Sequence, residues 1–295
     1  MTINTNMPSI NAQNSLNKIQ SALPKIMDQL SSGYRINSAA DDAAGLAIAT
    51  KMSSDVRAFA VSINNANDGI SMVQTADGAM SSINDTLQDV RSLALQAQSG
   101  QYGPEDVKSM QEQADALLST IDTTATQTSF NGQKLLDGSF SKTIFIGTGP
   151  GDKGIKVDVG NMQINQLGSD SNANLASVMS PQAAQQAGQS NGGQGSLETN
   201  PSQAVNIIDA AMNQVNSERS KLGAISNRFE ASINNLNTAS ENTQAATSRI
   251  MDTDYAQATS NLKKNLIQNN AAISMLAQAN ILPQNSIRLL MPWGS

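Results

Sequence analysis

The chain has 295 residues, 18 basic and 24 acidic side chains for a net charge of -6, and neither cysteine nor histidine. That excludes disulfides, thiolate metal sites, cysteine nucleophiles and histidine acid–base chemistry, and the mild acidity argues against nucleic acid as a partner. Charged residues are 14% and aromatics 3%, so Ser, Thr, Asn, Gln and Ala stand where an average domain carries charges and large rings.

No segment reaches the roughly 18 consecutive apolar residues of a membrane span. Met1 to Lys18 lacks a basic start and an apolar run, so no cleaved secretory signal is expected there. From the N-terminus, Leu16, Ile19, Leu23, Ile26 and Leu30 recur at steps of three and four, the seam of a helix packed on another helix. Pro24 interrupts that seam, and a kink or a new first turn is expected there.

The stretch SSGYRINSAADDAAGLAIATKM, Ser31 to Met52, runs from a Gly-containing joint through two adjacent acids into an alanine-rich pattern. Neighbouring residues point about 100° apart on a helix, so Asp41 and Asp42 cannot share a proton. Ser38 with Asp41 matches a capping signature, and acids suit a first turn, so the pair reads as the start of a helix. That helix is expected from about Asp41 to about Gln98, roughly 85 Å at about 1.5 Å per residue, too long for a globular core. Its seam reads Met52, Val56, Phe59, Ile63, Ala66, Ile70, Val73 and Met80. After a three-residue step, which overwinds a seam locally, it resumes at Ile83, Leu87, Val90, Ala94 and Ala97. Asp77 falls where the first series wants an apolar residue.

Ser99 to Pro104 breaks the pattern, and Pro104 with Glu105 and Asp106 suits a new first turn. A return helix through Val107, Met110, Ala114, Leu117 and Ile121 is expected to end near Thr128, closing a helical hairpin. Between Phe130 and Met162 the period changes to two: Ile144 and Ile146, then Ile155, Val157 and Val159, flank a Gly/Pro turn at 147–154 and predict a β-hairpin. Residues from about Gln163 to Asn200 read as loop with one short helix near Pro181 to Ala187. Helical seams return at Val205, Ile208, Met212, Val215, Leu222, Phe229, Ile233 and Leu236, with polar Ser240, Thr243 and Thr247 before Ile250. A last series, Tyr255, Leu262, Leu266, Ile273 and Leu276, is expected to stop near Pro283. The fold class is therefore mainly α, a long antiparallel helical rod or coiled coil with a small β-hairpin insertion, its two chain ends paired.

Other motifs carry no chemistry. Gly149 to Gly154 satisfies G-x-G-x-x-G, but it opens a strand pattern, and a phosphate needs a helix N-terminus. The acceptor triplet Asn84-Asp85-Thr86 lies inside the long helix and is discounted. The 13 methionines are scattered through the seams as gap fillers. Asn17, Asn269 and Thr243 occupy or flank seam positions, where a buried polar residue fixes register and partner number. Weak seams describe helices that are poor alone and stable in company, which is a physical statement of self-assembly.

The chain closely resembles bacterial flagellin. SSGYRINSAADDAAGLAIA (Ser31 to Ala49), NNANDGISMVQTADGAM (Asn64 to Met80), LQDVRSLALQA (Leu87 to Ala97), TSFNGQKLL (Thr128 to Leu136) and LAQANILPQNSIRLL (Leu276 to Leu290) are family stretches, in the family's order. The resemblance implies an inner coiled coil of the two chain ends lining a narrow channel, then a rod layer carrying the hairpin. With only about Gln163 to Asn200 in the middle, the family's outer domains are expected to be absent. The layers would be 1–40 (inner coiled coil, N-terminal part), 41–162 (rod domain: long helix, return helix, hairpin), 163–200 (short variable loop region), 201–252 (C-terminal rod helix) and 253–295 (inner coiled coil, C-terminal part).

It further implies a secreted, extracellular structural subunit that polymerises with itself, is not an enzyme and needs no cofactor or metal. Export unfolded by type III secretion is implied too, with a secretion chaperone, a filament cap and hook–filament junction proteins as partners. No nucleic acid or membrane span is expected. Gly33, Arg35, Asn37, Ser38, Asp41 and Asp42 would form the layer joint and helix cap. Leu16, Ile19, Leu23, Leu30, Leu262, Leu266, Ile273 and Leu276 would form the assembly seam. A host innate immune receptor recognises many flagellins through a segment matching Leu87 to Gln96. Arg91 and Leu93 stand there, but Asp89 replaces the usual Arg and Gln113 the usual Glu, so weak or absent activation is expected. Rival readings are a junction protein sharing the end segments, a surface binding module, and an enzyme inserted at 163–200.

Overall fold

A computed structural model of the chain describes residues 5–147, 154–168, 174–186 and 195–290. Its elements are α1 (Met7–Ser32), α2 (Ala43–Gln98), α3 (Pro104–Gln127), β1 (Ser129–Phe130), β2 (Gln133–Lys134), β3 (Ser141–Ile144), β4 (Ile155–Asp158), a 3-10 turn (Leu175–Val178), α4 (Pro181–Gln186), α5 (Pro201–Met251) and α6 (Tyr255–Leu290). The fold is mainly α, with two small antiparallel hairpins among the described residues. Two compact units divide it: Met1–Val56 with Glu241–Ser295, and Arg57–Ser240. The change of unit lies inside α2 and α5, whereas the helices themselves break at residues 33–42 and 252–254.

In the unit Arg57–Ser240, α2, α3 and α5 bury one face each in a shared core. Along α2 the buried positions Ser62, Ala66, Gly69, Val73, Ala76, Met80, Ile83, Leu87, Val90 and Ala94 alternate steps of four and three. The three-residue step from Met80 to Ile83 is therefore part of a regular alternation and overwinds nothing. Ser62, Gly69 and Ala76 keep the register, and they are too small to register as apolar in sequence. Asp77 lies beside the seam, where its carboxylate accepts from Arg219 Nε at 2.8 Å and Nη2 at 3.5 Å. Gly69 permits a close approach: a Cβ there would lie 2.8 Å from Phe229 Cζ and from Ile144 Cδ1.

The expected hairpin forms between β3 and β4, with Ile144 opposite Ile155 and Ser141 opposite Asp158. Ile155 and Val157 point inward and Lys156 and Asp158 outward, as period two demands. Ser62 Oγ donates to Gly147 O at 3.0 Å, tying the end of the hairpin to α2. The proposed turn at 148–153 lies outside the described residues. A second hairpin, β1–β2, turns on Asn131-Gly132, both at positive φ. Asn-Gly between extended residues is the local signature of such a turn.

The described residues after Met162 include the short helix expected near Pro181 to Ala187, as α4, and are well packed rather than merely loop. Ile164, Leu167, Leu175, Ala176, Val178, Met179 and Leu197 are buried in the same core. Gln111 of α3, 1% exposed, donates to Val178 O at 2.9 Å and accepts from Leu197 N at 2.7 Å. Asp115, one turn on, accepts from Ser180 N at 3.0 Å and Ser180 Oγ at 2.6 Å. Short apolar residues scattered among Asn, Gln and Ser show no period, so their burial left no periodic signal in the sequence.

In the other unit α1 packs against α6. Both run through a proline: α1 does not restart at Pro24, and α6 continues past Pro283 to Leu290 instead of stopping there. Partial burial in α1 follows Ser9, Ala12, Leu16, Ile19, Leu23, Ile26 and Leu30, a strict heptad, yet no residue of α1 is buried.

Candidate functional site: the helix-break joint and the assembly seam

The two helix breaks lie side by side. α1 ends on Gly33, at φ 76, whose N–H bonds Gln29 O at 3.0 Å. That left-handed conformation suits glycine. A Cβ there would also come within 3.3 Å of Tyr255 Oη. Tyr34 and Asp252 form an antiparallel bridge. Arg35 N donates to Met251 O at 2.6 Å and Thr253 N to Gly33 O at 2.8 Å. Arg35 Nη2 donates to Ile250 O at 2.6 Å, so one arginine covers two free carbonyls and the negative dipole end of α5. Asp254 then caps α6, accepting from Ala256 N at 2.9 Å and Gln257 N at 3.1 Å. Tyr255 Oη reaches back to Leu30 O at 3.2 Å.

The acids divide their labour. Asp41 does not open α2: its Oδ2 accepts from Asn37 N, Ser38 N and Ser38 Oγ at 3.1–3.2 Å, closing the turn before the helix. Its Oδ1 pairs with Lys25 Nζ at 2.7 Å, joining that turn to α1. The Lys25 ammonium first, then the Asn37 and Ser38 donors, hold its carboxyl down at about 2. Asp42 is the cap, accepting from Gly45 N at 2.8 Å. A Cβ on Gly45 would run into the Asp42 carboxylate and Ile36, and Ile36 is the largest fully buried side chain of the joint. Asn37 Oδ1 accepts from Ser32 Oγ at 2.8 Å. Gly33, Arg35, Asn37, Ser38, Asp41 and Asp42 therefore meet in one place, with Lys25, Gln29, Asp252, Asp254 and Tyr255, which sequence reasoning missed. The Asp-Thr-Asp run at 252–254 was their one legible signal, an N-cap after a helix.

Of the seam residues, Leu16, Ile19, Leu23 and Leu30 are half-buried on α1. Leu262 and Leu276 belong to the half-buried stripe of α6 with Asn265, Asn269, Ala272 and the buried Ala279. Leu266 and Ile273 lie off that stripe, 45% and 49% exposed. Asn17 is exposed, so the polar seam position is taken on α6 instead.

On α2, Arg91 is committed to Asp209 of α5 through Nε at 2.6 Å and Nη2 at 3.4 Å. Leu93 is turned into the core, while Asp89 and Gln113 are exposed. Among the described residues no group of His, Cys, Asp and Glu could hold a metal ion, and no helix is long and apolar enough to cross a membrane.

Residues 3–141 match the bacterial flagellin N-terminal helical region, and residues 205–290 the bacterial flagellin C-terminal helical region. The chain is 38% identical to flagellin of Bacillus subtilis, over 98% of this chain and 100% of that one. It is 35% identical to flagellin FlaB1 of Treponema pallidum, with the same coverage of both chains. Flagellin B of Vibrio cholerae is 32% identical over 98% of this chain and 99% of its own. That alignment spans 375 positions against 295 residues here, so this relative is longer. A crystal structure of Bacillus cereus flagellin aligns at a TM-score of 0.46 and 24% identity, covering 59% of this chain and 88% of that one.

Proposed function

Starting from a chain that belongs to the bacterial flagellins, we propose that its joint, its half-buried seams and the exposed face of α6 with Leu266 and Ile273 are the surfaces on which the filament is built. Flagellins are extracellular structural subunits of the flagellar filament that self-assemble, and they are not enzymes. This chain is a short one.

The supporting observation is α1: 26 residues with a strict heptad and no buried residue. A seam that α6 alone leaves half open takes its remaining contacts from copies of the same chain. We assign 1–40 and 253–295 to the inner layer and 41–162 and 201–252 to the rod layer, with the joint at the breaks of the chain between α1 and α2 and between α5 and α6. Residues 163–200 are the short variable segment where longer flagellins carry more chain. A chain with no cysteine and weak terminal seams suits type III export in an unfolded state. The partners on that route are a secretion chaperone for the C-terminal segment, the filament cap and the hook–filament junction proteins. The innate immune receptor is a poor partner: Arg91 is held by Asp209 and Asp89 reverses a charge. Strong signalling by purified monomer at nanomolar dose would refute that reading.

Seeded polymerisation of the purified chain, followed by electron microscopy, tests the main one. Ile273→Asp places a charge on an exposed site of α6, so the circular dichroism of the monomer should be unchanged while filaments fail to grow. Normal filaments from Ile273→Asp overturn the assignment of that face to assembly.

A further inference from the structure

Pro283 lies inside α6. A proline has no N–H, so the carbonyl four residues before it, on Ala279, loses its helical donor. Ala279 is only 6% exposed, so water offers little replacement, and a buried carbonyl without a donor is destabilising. A donor is present: Asn6 Nδ2 reaches Ala279 O at 2.8 Å. The other half of the same amide is also used, since Asn6 Oδ1 accepts from Ser9 N at 3.2 Å and caps α1. Ser9 Oγ then donates to Asn280 Oδ1 at 2.8 Å.

We propose that Asn6 is a clasp for the far end of the terminal hairpin, made specific by the carbonyl that Pro283 sets free. The heptad of α1 explains why a clasp is needed. Leu16, Leu23 and Leu30 repeat at one seam position, and Ile19 and Ile26 at the other. Over Leu16 to Leu30 a slide of seven residues would therefore present the same side chains to α6. The joint at residues 33–35 and 251–253 holds one end of the pair. Asn6 holds the other, 28 residues along α1 from Tyr34 and 27 along α6 from Asp252 to Ala279. The amide fills both roles at once, its Nδ2 donating to the carbonyl while its Oδ1 accepts from the N–H. The clasp also accounts for α6 running unbroken through a proline.

Asn6→Asp separates the two roles: it keeps the capping acceptor and loses the donor. In filaments of the full chain, amide exchange in the first turns of α1 and around Ala279 should rise roughly three- to tenfold in this variant, the loss of one hydrogen bond. Adding Pro283→Ala supplies the missing N–H from the helix itself, so the double variant should return to near the exchange of wild type. Filament formation by the wild-type chain is scored separately and tests the polymer reading alone. Unchanged exchange in Asn6→Asp overturns the clasp. So does an effect of Asn6→Asp that Pro283→Ala leaves intact. Should Asn6→Asp fail to assemble at all, Pro283→Ala must restore assembly, and its failure to do so is equally fatal to the proposal.

Discussion

Two glycines nine residues apart on α2 should respond to the same substitution with opposite sign. In a helix interior alanine is favoured over glycine by about 0.8–1.0 kcal/mol. Gly78 is exposed, and a Cβ there would meet nothing within 4 Å, so Gly78→Ala should realise that gain. At Gly69 the new Cβ would sit 2.8 Å from Phe229 Cζ, 3.1 Å from Phe229 Cε2 and 2.8 Å from Ile144 Cδ1. The isoleucine methyl can turn away. The ring cannot do so cheaply, because Phe229 is 0% exposed. Overpacking of this kind costs about 1–3 kcal/mol. Gly69→Ala should therefore come out at roughly 0–2 kcal/mol net loss once the propensity gain is subtracted. The difference between the two variants cancels the propensity and unfolded-state contributions and leaves the packing clash. It should be about 1–3 kcal/mol, or roughly 2–12 °C in Tm for a domain of this size class. Thermal unfolding of the purified monomer, followed by circular dichroism, measures it. Equal stabilisation by both substitutions would refute the close approach of Phe229 to α2.

Gln111→Ala should destabilise by about 1–3 kcal/mol, because Val178 O and Leu197 N lose their buried partner, and it should make residues 174–200 the first site of limited proteolysis. Asp41 gives a pH signature. Its folded carboxyl titrates at about 2, below the ordinary 3.8. Its contribution is thus complete above 3.8 and disappears as pH falls through about 2. Asp41→Asn should flatten acid unfolding in that window, read by a pH titration of the joint's amide signals. The Asp77–Arg219 pair is partly exposed, at 43% and 31%. A double-mutant cycle should return about 0.2–1 kcal/mol of coupling, and a value well above that would mean the pair is shielded from water.

Legibility followed periodicity. Long helices, their approximate ends and the β3–β4 hairpin were readable because three-four and two-residue spacings report directly on which face is buried. The finer register of α2 was not readable, since Ser62, Gly69 and Ala76 are seam residues by position and not by hydrophobicity. Asp77 looked like a defect because its partner, Arg219, is 142 residues away. Val178, Ser180 and Leu197 looked like loop because their partners, Gln111 and Asp115, belong to another element. Pro24 and Pro283 carried a local rule against helix that packing of α1 on α6 overrides. At the joint the residues of the first break were legible as a cluster, while its other half was hidden: two breaks far apart in sequence give no sign of meeting.

Apolar burial is unevenly shared between the two units. Among the described side chains, the unit formed by the chain ends buries only Ile36, Ala49, Ala258 and Ala279 of its hydrophobic residues. On the assignment proposed above, the rest of its apolar surface leaves water when subunits join, so that step should carry a drop in heat capacity of its own, beside the one that closing the core of the other unit brings as the monomer folds. Filament growth should then inherit the temperature law of the hydrophobic effect, with cooling weakening the contacts between subunits.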